Sequence, residues 1–305
     1  MQSIRNLRIM KHILEKYIGI AVIFIGIAAT NQVQAATPSP TGSHVEWKNE
    51  RNDTTRITHI LIEEASQPRP GSLSRIGKLF EGTPYGNGML EGDEEKLRIN
   101  LDSLDCTTFV ETVAALALTA RENRESWRDF LYNIERLRYR GGSEQGYASR
   151  LHYVSEWVLD NQSRGNLREV TGEMPGVRYM VKSLDYMTRH REAYPSLADS
   201  ANFARMKSVE GGFSNYRYPY LKGNQMSAKK LRQIIRDGDI IALTTSTPGL
   251  DVSHLGIAVA DSQDGEIHLL HASSKEGKVL TDPLTLAEYL RRNRTEGIRI
   301  IRLTE

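Results

Sequence analysis

A single cysteine, Cys106, is the residue of this chain best suited to covalent chemistry. It is the one cysteine among 305 residues, so the chain cannot form an internal disulfide. Cys106 follows Asp102 and Asp105, and an apolar helical stripe continues behind it to about Ala120. The sequence therefore predicts a helix that begins at the cysteine, with Asp102 or Asp105 as its N-cap.

The start of a helix changes the reactivity of a thiol. The helix dipole and the unpaired amides stabilise a thiolate, so we expect the pKa of Cys106 to lie below its reference of about 8.5. The same amides could hold the oxyanion that forms when the sulfur attacks a carbonyl. The alternative is a buried cysteine that acts only as a small hydrophobic residue.

A cysteine nucleophile needs a base, and two of the eight histidines stand in strand-like segments that could supply one. His254 begins an apolar run that ends at Ala260, and His271 ends another that begins at Glu266. If the two strands are antiparallel neighbours, the imidazoles meet and His271 orients the ring of His254. His268 should then face the other side of the sheet.

Metal catalysis is the competing chemistry at these histidines. His254, Asp251, His268 and His271 could be imagined as ligands. The sequence contains no His-Glu-x-x-His run and no second cysteine, and a catalytic zinc needs three well-placed ligands. We therefore expect neither a metal nor another cofactor.

Hydrophobic periodicity outlines the elements that must position these residues. After the Cys106 helix it predicts helices at 127–139, 148–161 and 179–191, which would form a helical insertion at about 121–222. Beyond a short helix from Ser227, it predicts strands at 240–244, 254–260, 266–272 and 278–281, a helix at 284–294 and a last strand at 297–303. A catalytic helix on an antiparallel sheet is an α+β plan.

The motifs of the chain, taken in order, resemble those of the NlpC/p60 cell-wall hydrolases. They are Gly82-Thr83-Pro84-Tyr85-Gly86, Asp105-Cys106-Thr107, Asp237-Gly238-Asp239-Ile240-Ile241, Ser253-His254-Leu255-Gly256-Ile257 and Leu270-His271-Ala272-Ser273-Ser274. The resemblance implies a papain-like core with Cys106 as nucleophile, His254 as base and His271 as the polar third residue. It also implies that Tyr85 lines the site beside the thiol.

The chain departs from the common pattern at Thr107-Thr108, where the family has Ser-Gly, and in its long insertion. The Thr-Thr-Phe continuation and the segment from Ser149 to Trp157 are similar to the N-acetylmuramoyl-L-alanine amidase-like branch, which is DUF1460-like. That branch implies cleavage between N-acetylmuramic acid and L-alanine in peptidoglycan fragments.

Residues beside the motifs are candidates for binding the substrate. We predict that Arg150 and Tyr153, one turn apart on a helix, face the cleft and hold a carboxylate and a hydroxyl, or else form a salt bridge and a core ring. The complete set of predicted substrate-binding residues is Tyr85, Asp105, Thr107, Arg150, Tyr153 and Ser253.

The N-terminus predicts export. Basic residues from Arg5 to Lys16 precede an apolar run from Ile18 to Ala29, and the small-residue site Val33-Gln34-Ala35 follows. This order is typical of a secretory signal peptide, with an uncleaved anchor as the alternative. We expect a secreted, periplasmic protein that is free of the membrane after cleavage.

Composition constrains the partners and the domain plan. Removal of residues 1–35 leaves 36 basic and 37 acidic residues, which does not favour nucleic-acid binding. We predict a linker at 36–55 and one hydrolase domain at 56–305, whose partner is peptidoglycan or a muropeptide; the oligomeric state stays open. A γ-D-glutamyl endopeptidase, a non-catalytic wall-binding protein and an acyl transferase remain alternatives to the amidase.

Overall fold

An eight-stranded antiparallel sheet with helices packed against it organises the part of the chain that the structure describes, residues 44–304 of the computed structural model. The predicted signal peptide lies outside these residues. Within them, no helix is both long and apolar enough to cross a membrane.

The first half of the described chain is mainly helical. In chain order its elements are β1 (Val45–Trp47), α1 (Glu50–Ala65), α2 (Leu73–Lys78), β2 (Leu97–Ile99), α3 (Cys106–Arg121), α4 (Trp127–Arg138) and α5 (Val154–Ser163). β1 and β2 form a small parallel sheet of their own. Regular structure thus begins inside the stretch that was predicted to be a linker, with β1 and then with α1, whose first turn is capped by the Asn49 side chain.

The second half builds the main sheet. Its elements are β3 (Leu167–Glu169), β4 (Arg178–Lys182), α6 (Tyr186–Arg189), α7 (Ser200–Gly211), β5 (Tyr216–Lys222), α8 (Ala228–Ile234), β6 (Ile240–Thr244), β7 (Val252–Ala260), β8 (Ile267–Ser273), β9 (Lys278–Thr285), α9 (Leu286–Arg292) and β10 (Gly297–Leu303). The strand order is β4-β5-β10-β6-β7-β8-β9, and β3 also pairs with β10.

The segment between α3 and β6 differs in structure from its predicted helices. The helix expected at 179–191 is wrong at its start, because β4 pairs with β5 in register from Arg178 opposite Tyr220 to Lys182 opposite Tyr216. Cross-strand contacts favour a strand there, since the Arg217 guanidinium lies 3.9 Å from the centre of the Tyr179 ring and the Tyr218 hydroxyl lies 3.0 Å from the Met180 sulfur. The insertion therefore adds β3, β4 and β5 to the sheet and is not purely helical.

Helix α3 runs through the centre of the protein. Every residue from Thr108 to Ala120 is buried, because α1, α2 and α4 cover the side of the helix that does not face β7 and β8. Helix α2 in turn packs closely on β8: a Cβ on Gly77 of α2 would lie only 2.8 Å from Cδ2 of Leu270. This packing fixes the position of the first turn of α3, which carries Cys106, relative to β7 and β8.

Candidate active site

Cys106 is the first residue of α3, as the sequence predicts. Asp105 is the N-cap: its carboxylate Oδ1 accepts the Thr108 N–H at 2.7 Å, and the Thr108 hydroxyl accepts the Asp105 N–H at 2.9 Å. Asp102, the other candidate cap, instead accepts a hydrogen bond from the Asn52 side chain at 3.2 Å. A reciprocal capping box of this kind holds the first turn of a helix in place.

The surroundings of the thiol differ from the expectation. Burial raises the pKa of Cys106, and the negative charge of Asp105 raises it further. Hydrogen bonds to the sulfur from the Leu255 N–H and the Thr107 hydroxyl act in the opposite direction but are smaller. The expectation of a lowered pKa is therefore wrong, because desolvation outweighs the stabilisation that a helix start offers a thiolate.

The two predicted histidines lie on neighbouring antiparallel strands, β7 and β8. Nε2 of His254 lies 2.6 Å from Nδ1 of His271, and the two ring planes are 81° apart. His268 points elsewhere, since its Nδ1 donates to the main-chain carbonyl oxygen of Asp282 at 3.0 Å. The alternation of side chains along β8 explains this separation.

Burial governs the charge of the histidine pair. It lowers the pKa of His254 to about 3, with His271 as a second cause, and it lowers the pKa of His271 to about 4. Both rings are therefore neutral near pH 7. A neutral pair shares one proton across the 2.6 Å contact, so one ring donates and the other accepts.

A cleft of about 460 Å³ opens beside the histidine pair. His254, His271 and Ser253 line it from the strands, and Tyr289 lines it from α9. The edge of the Tyr289 ring packs against His271 with ring centroids 5.6 Å apart. A substrate in this cleft would therefore contact both imidazoles.

Three of the predicted substrate-binding residues lie close to the thiol. Tyr85 is near enough that the charges of Cys106 and Asp105, after burial, raise its pKa. Thr107 hydrogen-bonds to the sulfur, and Asp105 caps the helix. Ser253 lies at the cleft, with its hydroxyl 3.5 Å from the Leu243 carbonyl oxygen.

Arg150 and Tyr153 are buried in the insertion and do not share a helix, because α5 begins only at Val154. The Arg150 guanidinium pairs with Glu91 at 2.7 Å and lies 3.4 Å from Glu95. The Tyr153 hydroxyl donates to Glu210 at 2.7 Å. Both side chains thus have partners within the chain, which matches the salt-bridge and core-ring alternative.

Asp282, on β9, is a residue that the sequence analysis missed. Its Oδ2 lies 3.6 Å from Nε2 of His271, and its Oδ1 accepts the Leu284 N–H at 2.9 Å. Strand alternation could have revealed it: β8 and β9 pair with His271 opposite Leu280, so Asp282 follows on the same face.

Among residues 44–304, no three side chains of His, Cys, Asp or Glu converge as a metal site would require. Cys106, His254 and His271 are a thiol and two imidazoles, which are side-chain types that acyl transfer can use.

Comparison with known proteins identifies an amidase-like family. The family model of AmiA-like proteins, described as N-acetylmuramoyl-L-alanine amidase-like, matches residues 75–298. No curated protein matches the chain.

Solved structures resemble the chain closely. An N-acetylmuramoyl-L-alanine amidase from Bacteroides uniformis is 39% identical, with a TM-score of 0.72 over 77% of this chain and 100% of its own. A Bacteroides fragilis protein, named provisionally as a xylanase, is 44% identical, with a TM-score of 0.70 over 75% of this chain and 100% of its own.

A more distant structure, a Legionella pneumophila protein of the DUF1460 family model, is 23% identical, with a TM-score of 0.65 over 84% of this chain and 96% of its own. It supports the fold alone. The family model spans the segment that carries Cys106, His254 and His271. The chain therefore belongs to the AmiA-like, N-acetylmuramoyl-L-alanine amidase-like family.

Proposed function

We propose that the chain is an exported cysteine amidase that hydrolyses the bond between N-acetylmuramic acid and L-alanine in peptidoglycan fragments. Membership of the amidase-like family supports a peptidoglycan hydrolase. The observation that carries the finer proposal is the position of Cys106, at the capped start of α3 and hydrogen-bonded to the residue that follows His254.

The family motifs and the packing of α3 on β7 and β8 support a papain-like core of the NlpC/p60 type. In such a core the nucleophile begins the central helix and the base lies on the adjoining sheet. Cys106 and His254 occupy these two places in the chain.

The reaction begins from a neutral thiol and a neutral imidazole. Nε2 of His254 is engaged with His271, which leaves Nδ1 to take the thiol proton as the sulfur attacks the lactyl carbonyl carbon. The Thr108 N–H is used by the cap, so the amides of Cys106 and Thr107 remain to donate to the oxyanion.

Collapse of the tetrahedral intermediate breaks the carbon–nitrogen bond. The His254 imidazolium gives its proton to the departing amine of L-alanine, and a thioester on Cys106 remains. A water molecule then gives a proton to His254 and attacks the thioester. The products are the lactyl carboxylic acid and the restored thiol.

The name of the Bacteroides fragilis relative raises a second activity, xylan cleavage. Glycosidases use a pair of carboxyl groups on either side of the scissile bond. The cleft has two carboxyl groups, but Glu276 lies 3.6 Å from the Lys275 ammonium and Asp282 lies 3.6 Å from His271. The two imidazoles in the cleft and the amidase-like family favour amide chemistry.

Mass spectrometry of the products tests the proposal. Residues 36–305 are incubated with an anhydro-muropeptide and, separately, with xylo-oligosaccharides. We expect release of a peptide that begins with L-alanine and of a sugar without peptide. Cys106→Ala and His254→Ala should lose this activity by at least about 10³-fold. His190→Gln should retain it, because this ring lies in the insertion and bonds to the Tyr186 carbonyl oxygen at 2.7 Å.

Each alternative gives a different result. Retention of L-Ala-D-Glu on the sugar would identify an endopeptidase. Shortened xylo-oligosaccharides from both wild-type and Cys106→Ala protein would identify a xylanase. Binding of the muropeptide without turnover would identify a wall-binding protein.

A further inference from the structure

Asp282 contacts the histidine pair at the ring nitrogen that His254 does not use. Nδ1 of His271 faces His254 at 2.6 Å, and Nε2 of His271 lies 3.6 Å from the Asp282 carboxylate. This Nε2 is buried and has no hydrogen-bond partner among the described residues. The Asp282 carboxylate is itself held by the Leu284 N–H.

The order of these contacts determines which nitrogen of each imidazole carries a hydrogen. If Nδ1 of His254 takes the thiol proton, Nε2 of neutral His254 carries a hydrogen and donates it to Nδ1 of His271. His271 then carries its own hydrogen on Nε2, directed at Asp282. A carboxylate at this place favours that tautomer of His271, and so the useful tautomer of His254.

The negative charge of Asp282 would also assist the proton transfer from Cys106 to His254. Burial disfavours the imidazolium at both histidines and disfavours the thiolate. A proton transfer from thiol to imidazole therefore starts from two unfavourable ionisations. A negative charge next to His271 stabilises the imidazolium through the shared hydrogen bond.

We propose that Asp282 is a positioning residue that sets the His271 and His254 tautomers and stabilises the imidazolium during catalysis, an inference that rests on the proposed cysteine mechanism. The 3.6 Å separation is an ion-pair distance, so Asp282 acts on His271 through its negative charge.

Other charged or titratable groups face the same cleft. Tyr289 and Arg292 come from α9, and Lys275 and Glu276 come from the turn between β8 and β9. Tyr85 and Asp105 approach from the side of the thiol. Glu276 is therefore a matched control, because it carries the same charge at the same cleft but lies 3.6 Å from the Lys275 ammonium instead of beside an imidazole.

The test uses alkylation of Cys106 by iodoacetamide, which reports on the only thiol of the chain and needs no muropeptide. At pH 7, Asp282→Asn should react more slowly, by roughly tenfold, because the variant amide donates to His271 and favours the wrong tautomer. At pH 10, where hydroxide removes the thiol proton directly, it should react as fast as wild type or faster, because a negative charge is gone.

A purely structural defect would not produce this crossover. Glu276→Gln should match wild type at pH 7, and circular dichroism should show that both variants are folded. Alkylation of Asp282→Asn at the wild-type rate or faster at pH 7 would overturn the inference.

Muropeptide turnover separates this inference from the proposed function. Asp282→Asn should lower kcat by on the order of 10²-fold with little change in KM. Cleavage by wild type and Asp282→Asn at equal rates would overturn the role of Asp282 and leave the amidase intact. The alkylation crossover without muropeptide cleavage by wild type would support Asp282 and overturn the proposed substrate.

Discussion

At the scale of single residues, the sequence predicted which side chains would meet but not their protonation. Cys106 begins its helix and His254 meets His271 at 2.6 Å, as the strand alternation indicated. The pKa of the thiol is raised because burial and Asp105 act on it together. The degree of burial depends on packing between distant segments, which a helix-start motif does not encode.

Replacement of Asp105 by asparagine removes the negative charge but keeps a side chain that can cap the helix. Asparagine caps a helix about as well as aspartate, so the free energy of unfolding should change by less than about 0.5 kcal/mol. Loss of the negative charge should lower the pKa of Cys106, and alkylation at pH 8 should become about threefold faster or more.

The matched control is Asp102→Asn, which removes a charge that lies outside α3 and bonds to Asn52. This variant should alkylate at the wild-type rate. Slower alkylation of Asp105→Asn would contradict the electrostatic account of the raised pKa.

At the scale of elements, the insertion holds the loop that leads into the histidine strand β7. The Lys182 ammonium, at the end of β4, donates to the carbonyl oxygens of Thr245, Thr247 and Leu250 at 2.6, 3.1 and 2.9 Å. The Asp251 carboxylate accepts the Ser155 N–H at 2.6 Å. The sequence predicted β7 itself, but these contacts join residues far apart in the chain and leave no local pattern.

Lys182→Met should therefore loosen the segment 245–252 without removing the apolar part of the side chain. Hydrogen bonds to a charged donor contribute about 1.5–3 kcal/mol, so amide exchange in this segment should be faster by roughly tenfold or more. Hydrogen–deuterium exchange, followed by mass spectrometry, measures the exchange rate of these amides.

Lys207→Met, on the exposed side of α7, is the control and should leave the segment unchanged. Equal exchange in Lys182→Met and wild type would show that the three hydrogen bonds do not hold the loop.

At the scale of the whole molecule, Arg299 joins the insertion to the sheet. This fully buried residue of β10 donates to Glu169 at 2.8 and 2.9 Å and to the Ser155 hydroxyl at 2.7 Å. It also lies 4.0 Å from Asp251. A buried charge of this kind is tolerated only with its partners in place.

Arg299→Met would leave Glu169 without its cation and remove one of the two positive charges near Asp251. We expect the free energy of unfolding to fall by about 3–5 kcal/mol, as measured by urea denaturation. Arg168→Met, which breaks the exposed pair between Arg168 of β3 and Glu173, should cost less than about 1 kcal/mol. Equal losses in the two variants would contradict the account.

The parts of the fold that were predictable are those with local patterns. The buried strands 240–244 and 297–303 and the Cys106 helix carry continuous apolar or periodic runs, and the structure confirms them. β4 was mistaken for a helix because it is an exposed edge strand of the sheet. Its successive residues differ little in burial, so the two-residue alternation typical of a strand is weak. Asp282 was missed because the strand predicted at 278–281 stops one residue before it, so the alternation from Leu280 to Asp282 was not followed.

The central claim is that Cys106 carries the acyl group during turnover, and intact-protein mass spectrometry after acid quenching tests it most directly. Wild-type protein mixed with an anhydro-muropeptide in a single turnover should gain the mass of the muramyl acyl group, and peptide mapping should locate it on Cys106. Turnover without any covalent adduct, together with unchanged activity of Cys106→Ala, would contradict the account.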